Sequence, residues 1–234
     1  MTSPMPAPPY AAPPGPWLRS PAGLGRATAV LLGLVSATDL FACYADLLEM
    51  NVAGDIVDGA IGADVVDRAD HADALYGTAG IAQGTALVAT AVVYLCWLWR
   101  VRVNAEVFDA SRHSKKRGWT IGAWFVPVVN LWFPRRIVLD CWNASAPWGE
   151  RERSGLVNAW WTVWLASLCV DRVAYTRWDR AETAPELRDA ARVMLFSDAF
   201  DIVAAVLAVV VVVQLTRLQE RKVLSGELPG PALG

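Results

Sequence analysis

Apolar residues gather in four runs of about twenty, the length that crosses the roughly 30 Å hydrocarbon core of a bilayer as a helix. The runs cover residues 24–48, 77–99, 156–175 and 193–216, and polar or proline-rich stretches separate them. Because each run lacks strand-like alternation, the pattern indicates helices. It predicts an all-α fold, a polytopic membrane helical bundle with four transmembrane helices.

A fifth apolar segment, residues 118–134, is shorter and broken. It sits at the lower length limit for a helical span, and Pro127 in its middle has no backbone donor and disrupts a helix. Asn130 adds a polar side chain. Irregular backbone at membrane depth persists only when packed within protein or lining a wet cavity. Three alternatives stay open here: a re-entrant hairpin, an interfacial segment, or a fifth span.

The ends of the chain differ from its centre. Residues 1–23 hold eight prolines without apolar periodicity, which predicts a disordered Pro-rich tail. Residues 24–216 form the predicted membrane domain, and residues 217–234 form a second tail. The mean hydropathy of +0.32 and the charged fraction of 19% favour a membrane protein over a soluble domain.

The distribution of Lys and Arg predicts the orientation. With both termini cytoplasmic and 118–134 returning to its own side, residues 1–26, 100–117, 135–155 and 217–234 carry 15 of the 21 basic residues. A fully crossing segment would place the basic C-terminal tail outside. The charges therefore favour four spans plus one re-entrant or interfacial segment in a cell membrane. The lipid bilayer is the expected partner, with anionic headgroups at the cytoplasmic face, and the net charge of −2 indicates no nucleic-acid partner.

Ionisable residues in or near the spans are the candidate chemistry, because a charge at membrane depth is costly and by default indicates function or pairing. Two readings stay open: a proton or cation site in which Asp39 and Asp201 share a proton, and an interhelical clamp in which Asp39 or Asp198 pairs with Arg172 or nearby hydroxyls. The candidate cluster comprises Asp39, Asp171, Arg172, Asp198 and Asp201.

The central region resembles a family of bacterial membrane proteins known as domain of unknown function 4328, over residues from about 75 to 220. The resemblance rests on Arg102-Val103-Asn104-Ala105, Trp119, and the run Trp124-Phe125-Val126-Pro127, Asn130-Leu131 and Pro134. It implies a membrane location and architecture, with Arg102, Asn104, Trp119, Trp124, Pro127, Asn130 and Pro134 as the motif residues. It implies no catalytic residues.

Enzyme chemistry finds no support in the motifs. The two histidines, His71 and His113, fall on opposite sides of the predicted membrane, and no catalytic triad, zinc-protease motif or phosphate loop is present. We therefore expect no catalytic residues, no metal and no cofactor. The sequence favours a non-enzymatic membrane component, a scaffold or accessory subunit. The alternative is a small transporter or channel that uses the acidic cluster and the proline-broken segment.

Overall fold

Two long antiparallel helices begin the fold of the computed structural model, which describes residues 18–147 and 155–226. α1 spans Ala22–Val57 and α2 spans Ala63–Phe108. The chain reverses between them in residues 58–62, where Gly59 and Gly62 have φ values of 92° and 142° that side chains disfavour. The described residues contain helices and no β-strand, so the predicted all-α fold is confirmed.

A second pair of long helices completes the bundle. α5 spans Gly155–Asp179 and α6 spans Ala184–Leu224. α6 begins with a capping box, in which Thr183 and Glu186 satisfy each other's backbone N–H groups. Those hydrogen bonds lower the pKa of Glu186. α1 packs along both α2 and α6, and α5 packs on the other flank of α6.

Short elements connect the two pairs. A 3₁₀ turn covers Ala110–Arg112, α3 covers Trp119–Gly122, a second 3₁₀ turn covers Val129–Leu131, and α4 covers Phe133–Ser145. α4 contacts α2, α5 and α6. The connection therefore lies at one end of the bundle, where α2 and α6 finish and α1 and α5 begin. We call this end, which includes residues 109–145, the motif end. The opposite end, where residues 58–62 join α1 to α2, is called the acidic end.

Three helices, α1, α2 and α6, are long and apolar enough to cross a membrane by length and composition. They include the predicted spans 24–48, 77–99 and 193–216. α5 includes the predicted span 156–175 but is not one of the three, since its tryptophans, Asn158 and the pair Asp171 and Arg172 reduce its mean hydropathy. α1 begins at Ala22, inside the predicted Pro-rich tail, and α6 continues into the predicted C-terminal tail as far as Leu224. The rest of both tails, residues 1–17 and 227–234, lies outside the described residues.

The acidic stretch 49–76, which separates the first two predicted spans, is mostly helical. α1 and α2 continue through it, with only residues 58–62 outside helices. The physical reason is that the two extensions bury apolar positions, among them Val52 and Val65, and join through an ion pair between Arg68 and Asp55 at 2.5 Å. At 1.5 Å per residue, α2 is about 70 Å long, roughly twice the thickness of a hydrocarbon core.

Candidate functional site

Arg102 fastens the end of α2 to the following loop. Its guanidinium is buried, donates from Nη2 to the Lys115 carbonyl at 2.8 Å, and pairs through Nη1 with Glu106 Oε1 at 2.9 Å. Glu106 also accepts from Arg117 Nε at 2.8 Å. A buried charge requires such pairing. Arg102 therefore fixes the path of the chain from α2 to the hairpin.

Asn104 joins three parts of the chain at the motif end. Its side-chain amide accepts from the Arg19 N–H at 3.2 Å and donates to the Arg19 carbonyl at 2.8 Å. It also donates to Gln219 Oε1 at 3.1 Å. Gln219 in turn donates to the Val101 carbonyl at 2.8 Å and to Ser145 Oγ at 3.2 Å. The network thus ties the residues before α1 to the ends of α2, α4 and α6.

The loop after α2 is bound to α4 through Asp140. The Asp140 carboxylate accepts from the Ser114 N–H at 2.9 Å and Oγ at 2.7 Å, and pairs with Arg136 at 3.0 Å. His113 is half-buried in the same loop. Burial and the nearby Arg102 guanidinium lower the pKa of His113. At the start of the loop, hydrogen bonds from Ser111 lower the pKa of Asp109.

Residues 118–134 form a hairpin whose two ends meet. The Trp119 and Phe133 rings pack edge to face with centroids 5.3 Å apart. At the turn, the Val129 N–H donates to the Pro127 carbonyl at 2.7 Å across Val128, whose φ is 67°. This geometry is a γ-turn with a positive φ, which is rare and strained for a β-branched residue. The Asn130 N–H closes the turn by donating to the Val126 carbonyl at 3.0 Å.

Aromatic rings hold the hairpin against the bundle. Trp124 packs edge to face on Tyr94 of α2 and on Trp161 and Trp164 of α5, with centroids 5.3 to 6.0 Å apart. Trp161 Nε1 also donates to the Leu131 carbonyl at 2.9 Å. The tip lies away from these contacts: Phe125 is 71% exposed and Val128 is 63% exposed. Exposed apolar residues at this tip are Phe125, Val126, Val128, Leu131 and Trp132.

At the acidic end, the structure brings Asp39 and Asp198 together through Gln83. The Gln83 amide nitrogen donates to one carboxyl oxygen of each aspartate at 3.0 Å. Asp46, about two helical turns after Asp39 on α1, is also buried and contacts Asp198. Sequence reasoning missed Asp46 and Gln83. Asp46 lies seven residues after Asp39, a spacing that places both carboxyls on one face of a helix.

The other members of the predicted cluster lie nearby on α5 and α6. Asp171 accepts from Ser197 Oγ at 2.5 Å and contacts Asp201. Arg172 is exposed, and its carbonyl accepts from Thr176 within α5. Asp39 and Asp198 thus share the Gln83 amide of α2 as a hydrogen-bond donor, whereas one expectation was an ion pair with Arg172. Within the described part of the chain, no group of three or more His, Cys, Asp or Glu side chains is arranged to hold a metal ion.

Comparison with protein-family models gives a match to a domain of unknown function, DUF4328, over residues 62–217. The chain belongs to this family. Comparisons with curated proteins and with solved structures gave no match. The matched region starts earlier than the resemblance suggested and includes Asp171, Asp198 and Asp201, whereas Asp39 and Asp46 precede it.

The DUF4328 motif residues all lie at the motif end of the bundle or in its hairpin. Arg102 and Asn104 hold the chain around the hairpin, and Trp119 and Trp124 pack its stem. Pro127 is in the turn and is exposed, whereas Asn130 is half-buried and its Oδ1 has no hydrogen-bond partner among the described residues. Pro134 is buried at the start of α4, where a missing N–H costs nothing. Sequence reasoning did not select Asp140 or Gln219 as site residues, because the Ser114 partner of Asp140 and the partners of Gln219 are distant in the chain.

Proposed function

We propose that this protein is a non-enzymatic, multi-pass component of the bacterial cell membrane, a scaffold or accessory subunit whose hairpin dips into the cytoplasmic leaflet. The observation that carries the proposal is the hairpin itself, with joined ends and an exposed apolar tip. A segment whose ends meet at Trp119 and Phe133 returns to the side from which it starts. An apolar tip of this kind is stable in lipid and unfavourable in water.

Depth along the helices supports a shallow position for the hairpin. Trp124 contacts Tyr94, which lies six residues before Arg100, and Trp164, which lies eight residues after the predicted membrane entry of α5. At 1.5 Å per residue these contacts lie about 9 to 12 Å inside the predicted boundary. This depth suits a re-entrant hairpin in one leaflet. Since most of the basic residues belong to the motif end, that leaflet is the cytoplasmic one.

α5 is the fourth span in this proposal. Its 25 residues extend about 37 Å, enough to cross the hydrocarbon core, and it packs along α6. Its polar residues face other parts of the protein in two places: Asn158 accepts from Arg135 Nη2 at 2.7 Å, and Asp171 accepts from Ser197. Helices of this kind span membranes despite a low mean hydropathy when their polar groups are paired.

Thiol labelling tests the topology. In a cysteine-free background, single cysteines replace the exposed residues Asp58, Lys116 and Ser225, and intact cells receive a membrane-impermeant thiol reagent. We expect labelling of Asp58→Cys alone until the cells are opened. Labelling of Ser225→Cys but not Lys116→Cys in intact cells would mean that the chain crosses between them an odd number of times and would refute the proposal.

Spin labelling tests the position of the tip. A nitroxide at Val128→Cys should collide frequently with oxygen, which concentrates in lipid, and rarely with a water-soluble nickel chelate. The matched control is Lys116→Cys, which should show the reverse. Equal accessibility of both labels to the nickel chelate would place the tip in water and remove the basis for leaflet insertion.

A small transporter or channel is the second candidate, and the buried carboxyls around Gln83 favour it. The middle of α6 argues against a path, since its buried positions between Asp201 and Thr216 are all apolar, among them Ala204, Ala208, Val211 and Val212. Asp39→Asn separates the two candidates. A transporter variant would lose flux while still folding and inserting, whereas a scaffold variant would change stability only.

A further inference from the structure

Asp46 is a buried carboxyl group without a hydrogen-bond donor. It is 1% exposed, and neither of its oxygens accepts a hydrogen bond from any described residue. Its carboxyl group contacts that of Asp198, so two acceptors face each other. Asp198 already accepts at Oδ1 from Gln83 of α2, which also donates to Asp39 of α1.

Within the described parts of the chain, the groups around this pair supply no positive charge. α1 contributes Asp39, Cys43 and Glu49, α2 contributes Tyr76 and Gln83, α5 contributes Asp171, and α6 contributes Asp201. The basic residues of the neighbourhood lie elsewhere: Arg172 is exposed on α5, and Arg188 lies beside Gly54, about two turns beyond Asp46 on α1.

Two ionised carboxylates in contact at a buried position repel each other strongly, and pairing with a cation or sharing a proton removes the repulsion. A shared proton turns one carboxyl into a donor for the other and satisfies both groups at once. We propose that Asp46 and Asp198 form a proton-binding site that holds α1 against α6 at the acidic end of the bundle. This inference goes beyond the scaffold proposal and requires no transport.

The site has a short route to the surrounding water. Glu49 lies on the next turn of α1, and its carboxyl group contacts that of Asp73, which is exposed on α2. Protons therefore exchange from the acidic end and not from the motif end. Loss of the shared proton would leave two facing carboxylates and weaken the contact between α1 and α6.

Infrared spectroscopy of the full chain in detergent tests the proposal. The wild-type protein at neutral pH should show the carbonyl band of a protonated carboxylic acid. Asp46→Asn and Asp198→Asn should each lower the intensity of that band, to which the contacting pairs Glu49–Asp73 and Asp171–Asp201 can also contribute. Asp70→Asn changes an exposed acid on α2 and should leave the band unchanged. Absence of the band from the wild type, or an undiminished band in both variants, would overturn the assignment.

Thermal unfolding supplies a second readout that does not depend on the band. The wild-type midpoint should fall as the pH rises above neutrality, because the shared proton is lost. Asp46→Asn should reduce this dependence, since its amide donates to Asp198 at every pH, and Asp70→Asn should retain it in full. If the unfolding midpoint shifts when sodium replaces potassium in the buffer, and no acid band is present, the site binds a cation and the proton site is overturned. An unchanged pH dependence in Asp46→Asn would also overturn it.

Discussion

Asn104→Ala should detach the residues before α1 from the motif end. The change removes two hydrogen bonds to Arg19 and the donor for Gln219 Oε1. Hydrogen bonds of this kind stabilise a protein by about 0.5–1.5 kcal/mol each, and an orphaned buried acceptor costs about 1–3 kcal/mol. Because Gln219 is fully buried, water cannot replace the lost donor. We therefore expect the free energy of unfolding to fall by about 2–6 kcal/mol.

Equilibrium unfolding in mixed micelles of dodecyl sulfate and a mild detergent measures this loss. The matched control is Asn51→Ala, an exposed asparagine inside α1, which shares the same gain in helix propensity. Trypsin provides a local readout, because the Arg19–Ser20 bond is held by Asn104 in the wild type and should be cleaved faster in the variant. An Asn104→Ala protein that matches the Asn51→Ala control in both stability and cleavage would refute the reasoning.

Three further changes probe other contacts by stability measurements in detergent. Gly25→Ala should destabilise the protein by about 1–3 kcal/mol, because the new Cβ would lie 2.6 Å from Thr216 Oγ1, whereas Gly33→Ala, with no atom within 4 Å, should not; equal effects would contradict the close approach. Val128→Gly should raise stability by up to about 1 kcal/mol by relieving the positive φ, and a clear loss would show that the turn is unstrained. Because the pKa of His113 is lowered in the folded protein, the unfolded chain binds a proton at this histidine at higher pH than the folded protein does. Wild-type stability should therefore fall as the pH drops below about 6.5, and His113→Gln should remove this part of the pH dependence. Identical pH profiles of the two proteins would contradict the prediction.

Hydrophobic run length sufficed to predict the helices, because each long apolar segment must satisfy its backbone internally. It did not predict where the helices end. α1 and α2 continue beyond the predicted spans because their acidic extensions pack on each other, a property of two segments and not of either one. A re-entrant hairpin, an interfacial segment and a fifth span all stayed open for residues 118–134. The contact between Trp119 and Phe133, which joins the ends of this segment, depends on folding that a local pattern does not contain.

The acidic residues show the same limit at the level of a site. Asp39 and Asp198 could be selected from the sequence because each is an acid in an apolar run. Their common partner Gln83 could not, since an amide in a span has no distinctive pattern and the link crosses more than 40 residues. Asp46 could not be selected in this way, because it lies near the end of the predicted span 24–48, where an acidic residue costs less than at the centre.

The two ends of the bundle differ in how their helices are held, and this difference bears on where the protein can change shape. At the motif end, buried amides and aromatic rings join α1, α2, α4, α5 and α6. Towards the acidic end, the contact between α1 and α6 includes the carboxyl groups of Asp46 and Asp198, which have no basic partner among the described residues. Local opening follows the weakest contacts. In the proposed topology, a rise in pH outside the cell should therefore weaken the contact between α1 and α6 at the acidic end, while the hairpin and the motif residues keep their places.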